Sequence, residues 1–244
     1  MRPLSAVELL NAWERGLSEP AGGRAVALLA AACPDISSEA VAALEIGERD
    51  RWLLALREWT FGSQLASVIH CSACNERLEW TIDVADLQVA KQPRTDGDLS
   101  FESGGYSASF RLPNSRDLVA IASCADEETA RGVLLERCVL DRRLDGEELS
   151  VAELPSAVAD AIVERMSEAD PQADMQLDLW CPACDHKWLA LFDIESYFWV
   201  EINAWAQRLL TEVHLLARAY GWSESDILNL TAWRRQYYLG LVAG

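Results

Sequence analysis

The sequence has 244 residues, with 39 Asp plus Glu against 21 Lys plus Arg, a formal net charge of −18. Half of the residues are apolar, which excludes wholesale disorder and allows one large domain or two small ones. The acid surplus argues against nucleic acid and anionic membranes as partners, since neither Asp141-Arg-Arg-Leu nor Trp233-Arg-Arg-Gln makes a basic stripe. No stretch approaches the roughly 18 apolar residues of a membrane span. Pro3 and Glu8 interrupt the place where a signal peptide would build its apolar run. The expected location is the cytoplasm, where the seven Cys stay reduced or hold a metal.

The first sixty residues read as helices. Ser5 and Glu8 have capping-box spacing, ahead of an apolar stripe of Leu9, Leu10, Trp13 and Leu17. Gly22 to Cys33 predicts a second helix stopped at Pro34, and Ser37 starts a third. Gly47 to Trp59 predicts a fourth, with Trp52, Leu53 and Leu56 facing inward and Gly62 after it.

The period then changes to two. Leu78, Trp80, Ile82 and Val84 alternate with polar residues, the pattern of a half-buried strand. Phe101 to Leu112 reads as a hairpin turning at Gly104-Gly105. Arg116 to Cys138 predicts two helices broken near Ala125-Asp126, Asp145-Gly146 a turn, and Val151 to Met166 another helix. Alternation returns at Met175, Leu177 and Leu179, then at Trp188, Ala190, Phe192 and Ile194. Phe198, Ile202, Trp205, Leu209, Val213, Leu216 and Tyr220 form one long helical stripe ending at a Gly221 cap. Two short helices capped near Ser223 and Thr231 follow.

Two segments superpose with a shift of 110 residues. Cys71-Ser-Ala-Cys74 and Cys181-Pro-Ala-Cys184 each stand between strand patterns, and Leu78, Ile82 and Val84 align with Trp188, Phe192 and Ile194. One such knuckle offers two thiolates, and two knuckles close a tetrahedral Zn²⁺ site. The residue after each second Cys needs positive φ, and here it is Asn75 or Asp185, the non-glycine types that best tolerate it. A structural zinc held by Cys71, Cys74, Cys181 and Cys184 is therefore expected, ahead of four buried thiols or a redox pair. A closed four-Cys site leaves no open position for catalysis, and His70 and His186 have no vacancy to fill.

The fold class expected is α+β, mostly helical, with a small zinc-ribbon-like β module built by the two knuckles. The organisation reads as an N-terminal helical region (1–62), the paired knuckle module (63–90 and 174–194), an inserted hairpin and helices (91–173), and a C-terminal helical region (195–244). Cys33, Cys124 and Cys138 read as buried small hydrophobes, and His214 as a partly buried helix residue. No phosphate loop, His-Glu-x-x-His helix or nucleophile elbow occurs, so the chain is not expected to be an enzyme. Six of the ten Trp fall in the last third. Core packing is the first reading of that cluster, and Trp222, Trp233, Tyr237 and Tyr238 are its candidate partner-binding residues.

Those late residues also carry a resemblance. Glu201-x-x-x-Trp205, Glu212-Val-His-x-Leu-Ala, Tyr220-Gly-Trp-Ser-Glu-x-Asp-Ile-Leu and Trp233-Arg-Arg-x-x-Tyr, with Phe110-Arg-Leu-Pro-Asn-Ser-Arg-Asp-Leu upstream, resemble the T4-like phage baseplate hub assembly chaperones. Relatives of these proteins occur in bacterial contractile injection systems. The resemblance runs from about Leu53 onward, and the paired knuckles depart from it. It implies a non-enzymatic role, assembling hub or wedge proteins of a contractile tail or sitting in the baseplate itself. The competing expectation is a zinc-ribbon regulator or nucleic-acid-binding protein, against which the charge speaks. A third is a metal-dependent or redox enzyme.

Overall fold

A computed structural model describes residues 1–90 and 99–243 of the chain. The expected start of the insertion, at residue 91, lies outside the described residues. Helix α1 (Ala6–Gly16) begins as its sequence dictates: the Ser5 hydroxyl accepts from the Glu8 amide, and Glu8 returns a bond to Ser5. Leu9, Leu10 and Trp13 of the expected stripe are buried, but Leu17 is exposed because the helix ends one residue before it. Helices α2 (Gly23–Ala32), α3 (Ser38–Ala42) and α4 (Ile46–Phe61) follow.

Neither α2 nor α4 has a side-chain cap of its own. Each borrows a distant carboxylate instead. Glu195 accepts from the amides of Gly22 (2.6 Å) and Ala25 (3.3 Å), and Asp170 accepts from Gly47 (2.8 Å). Unsatisfied amides at a helix start take a carboxylate well. The Gly47 contact is so close that a Cβ there would lie 1.9 Å from Asp170 Oδ1, so any side chain at 47 would push the capping carboxylate aside.

Strands β1 (Gln64–His70) and β2 (Arg77–Asp83) form one antiparallel hairpin, in register from Gln64–Asp83 to His70–Arg77. Val84 does not extend β2. It opens a short helix, α5 (Val84–Leu87), because Asp83 caps the Ala85 amide. Strands β3 (Ser100–Ser103) and β4 (Tyr106–Phe110) make the expected hairpin, followed by α6 (Ser115–Ile121) and α7 (Glu127–Cys138). Beyond α7 the chain adds β5 (Val139–Leu144) and β6 (Glu147–Glu148), so the sheet has the order β3-β4-β5-β6. The helix expected from Val151 starts later, as α8 (Ser156–Ala169), after a 3-10 turn and Pro155.

The second cysteine hairpin, β7 (Gln176–Trp180) and β8 (Lys187–Leu191), pairs Gln176 with Leu191 through Trp180 with Lys187. Asp193 then caps α9 (Ile194–Tyr220), so Ile194 begins a helix rather than continuing a strand. Gly221 ends α9 in the left-handed conformation (φ 68°), as its position predicts. The last described elements are α10 (Glu224–Leu228) and α11 (Ala232–Ala243).

Two apolar clusters result. The larger joins α1, α2, α4, both cysteine hairpins, α9 and α10 around Leu53, Phe198, Ile202 and Leu216. Side chains this deeply buried contribute roughly 1.5–3 kcal/mol each. The smaller joins β4, α7 and α8 around Phe110, Cys138 and Ile162. The architecture is α+β and mostly helical, with small sheets. Among the described residues, no helix is long and apolar enough to cross a membrane.

Candidate metal centre

Each knuckle turns in the same way. The Cys71 amide donates to Glu76 O and the Asn75 amide to Cys71 O, both at 2.9 Å. The second knuckle repeats this with Cys181 to His186 O and Asp185 to Cys181 O, again at 2.9 Å. Asn75 and Asp185 have φ of 61° and 58°. These turns aim the thiols of both hairpins at one point.

The four sulfurs lie within 4.8 Å of one another. Across the hairpins, Cys71 Sγ is 3.7 Å from Cys184 Sγ, and Cys74 Sγ is 3.6 Å from Cys181 Sγ. Sulfurs about 2.3 Å from a tetrahedral ion stand about 3.8 Å apart, so the donor set fits such an ion. Cys71 and Cys181 are buried and Cys74 and Cys184 exposed, which places the cluster at the edge of the fold.

The electrostatics point the same way. Burial raises the Cys71 thiol, but the amides of Cys74 and Ala73 favour its thiolate and hold it at about 6. At Cys184 the His186 amide favours the thiolate, yet crowding by the Cys74 sulfur pushes it up to about 12. Four thiolates at this spacing need a cation between them.

The hairpins belong to separate two-stranded sheets, and the cysteine cluster joins them. Around it, Ser72 Oγ lies 3.0 Å from His186 Nε2, a hydrogen bond from one knuckle to the other. His186 stacks on Trp188 at 5.5 Å. His70 is exposed, opposite Arg77. The module is fastened to the large core by Trp80, edge-on to Phe192 at 6.1 Å, and by the Tyr197 hydroxyl, which donates to Ala66 O at 2.9 Å.

The remaining cysteines stand apart. Cys33 and Cys138 are buried, as expected, and Cys124 is half-buried beyond the end of α6. His214 is exposed, because Val213 and Leu216 carry the buried face of α9.

The candidate partner residues divide into two groups. Trp222 is half-buried, stacked on Tyr220 at 4.6 Å and edge-on to Tyr238 at 5.0 Å. Tyr238 is half-buried against the large core. Trp233 and Tyr237 stack on each other at 5.6 Å on the solvent face of α11. Glu201 accepts from Arg57 at 2.7 and 2.9 Å, tying α9 to α4. Glu212 accepts from Arg235 at 3.0 Å, tying α9 to α11.

A polar centre has no local sequence signal. Arg49, Asp50 and Glu195 are buried together, with Arg49 Nη1 3.1 Å from Glu195 and its Nε 2.8 Å from Asp50. Asp117, fully buried, is held by Arg111 at 2.6 Å and Arg137 at 2.8 Å. The charge types could be read beforehand, but not their convergence.

A mostly helical protein with a cysteine-clasped pair of hairpins is thus the class that fold and site define. Residues 18–199, about three quarters of the chain, match the family model described as T4 bacteriophage base plate protein. The chain belongs to that family. The Phe110–Leu118 motif lies inside the matched range, whereas the aromatic run from Glu201 onward lies outside it. No curated protein and no solved structure matches the chain.

Proposed function

We propose that this protein is a non-enzymatic assembly chaperone or structural component of the baseplate of a contractile tail or injection system, working in the cytoplasm. The family match over residues 18–199 carries the reading. In it, the four thiolates hold a structural zinc, which draws on the tetrahedral all-sulfur donor set. The clients are hub or wedge proteins, met through the aromatic residues 222–238. A net charge of −18 would speed encounter with a basic surface and discourage wrong contacts.

Co-expression with each baseplate protein of the same gene cluster, followed by affinity capture, tests the role. Capture of a hub or wedge protein in defined stoichiometry is the expected result; capture of none would overturn it. Metal analysis of the purified chain tests the zinc, with one Zn per chain expected.

A further inference from the structure

Among the described residues, nothing covers the solvent face of α11. Trp233, Tyr237 and Leu241, spaced i, i+4, i+8, are 74 %, 56 % and 59 % exposed. That is the anchor spacing of a helix that lays an apolar face in a groove. Its charge is also unlike the rest of the chain. From Ile227 onward the sequence contains no Asp or Glu, and Arg234 is exposed beside the first anchor. The surface that covers this face should be apolar and edged with carboxylates.

Two apolar grooves can be compared with that requirement. One, about 720 Å³, lies between α2, α3 and α6, floored by Val26, Ala27 and Ala30. Its rim carries Arg15 and Arg116 against a single Glu19, which disfavours a second basic surface. The other, about 470 Å³, lies between α6, α7 and α8 and is walled by Ile121, Leu134, Val163 and Met166. Glu127 and Asp174 stand exposed at its edge, with Asp170 below them. Its one arginine, Arg131, is already hydrogen-bonded to Asp160. Its volume is that of sites that take compact apolar groups, roughly 300–1,000 Å³.

We infer that α11 of one copy docks in the α7–α8 groove of a second copy. Trp233 and Tyr237 fill the space beside Leu134 and Val163, and Arg234 meets Glu127 and Asp174. Helix face and groove are different patches of one chain, so the contact is head-to-tail. Each dimer keeps one free face and one free groove, and association either closes into a ring or continues as a chain. Two bodies of −18 repel each other, but at about 0.15 M salt the screening length of about 8 Å confines that repulsion to the contact itself. The inference rests on reading the C-terminal aromatic face as a partner surface: a second copy covers that face within the assembly, and the one face left free at the end of an open assembly remains for a hub or wedge client.

Light scattering on the full chain with its metal, over a concentration series, tests it. The expected mass rises above the monomer with concentration, and Trp233→Asp or Val163→Asp each weakens association at least about tenfold. Both sites are solvent-exposed, and circular dichroism of each variant checks that it folds. Mixed in equal amounts, the two variants should form a dimer and nothing larger, because one sound face and one sound groove remain between them. A wild-type chain that stays monomeric overturns the inference. So does a mixture that stays monomeric, or loss of association in Ala30→Asp with none in Val163→Asp. A monomeric chain that still captures a hub or wedge protein leaves the baseplate role standing, so the two readings fail separately.

Discussion

The Glu195 carboxylate receives the Gly22 amide at 2.6 Å across 173 residues, and its other oxygen meets Arg49 at 3.1 Å. One side chain at the start of α9 thus caps α2 and neutralises a guanidinium that is 3 % exposed. Glu195→Ala leaves two amides without an acceptor and Arg49 with Asp50 alone. The expected loss is about 3–5 kcal/mol in urea unfolding. Glu195→Gln keeps an acceptor for Gly22 and should recover part of it. A loss below about 1 kcal/mol for the alanine variant would refute this role.

Two buried aspartates should respond to pH with opposite signs. Burial raises Asp50 to about 6 despite Arg49. Between about 4 and 6 the unfolded chain releases this proton more readily, so stability falls as pH rises through that window. Burial also opposes ionisation of Asp117, but Arg111, the Asn114 amide and Arg137 outweigh it and hold Asp117 at about 2. Its contribution is present above about 4 and is lost as pH falls toward 2. Urea midpoints against pH should lose the first slope in Asp50→Asn and the second in Asp117→Asn, each leaving the other slope in place.

Removing the proposed metal should weaken the fold itself. Cys74→Ser leaves three of the four ligands, a strong chelator leaves four with no ion between them, and in either case the energy lost is folding energy. At about 2–4 °C per kcal/mol for a chain of this size, a loss of several kcal/mol lowers Tm by roughly 10 °C or more. Cys124→Ser, away from the cluster, should change stability by less than about 0.5 kcal/mol. Calorimetry with metal analysis of each variant decides this, and an unchanged Tm in metal-free Cys74→Ser would contradict it.

The aromatic residues near the end of the sequence should divide by burial. Trp222→Ala breaks the stack with Tyr220 and the contact with Tyr238, at a cost of about 2–4 kcal/mol. Trp233, 74 % exposed, should cost less than about 0.5 kcal/mol when truncated in the monomer. Thermal melts of both variants at low protein concentration make the comparison. Equal losses would show that α11 is packed differently.

The cysteine pairs were legible because their geometry is local: four residues fix each turn, and Asn75 and Asp185 mark its positive φ. The stripe of α9 was legible for the same reason, since every position lies within a turn of the next. Strand β5 was not legible. Asp141, Arg142 and Arg143 occupy its middle, and cross-strand hydrogen bonds to β4 hold it rather than an apolar alternation. Val84 and Ile194 continue the alternating pattern in sequence, yet a capping aspartate before each turns the chain into a helix. The borrowed caps of α2 and α4 were out of reach, because no spacing rule connects residue 195 to residue 22.

The cysteine hairpins also set a timetable. Cys184 is synthesised 110 residues after Cys74. At about 5–20 residues per second, the first hairpin waits roughly 5–20 s on the ribosome with half a ligand set. Capture of the proposed metal by all four sulfurs would be completed only as α9, which supplies Phe198, Ile202 and Leu216 to the main core, is about to emerge. The clasp closes late, when the helix that seals the interior follows within seconds.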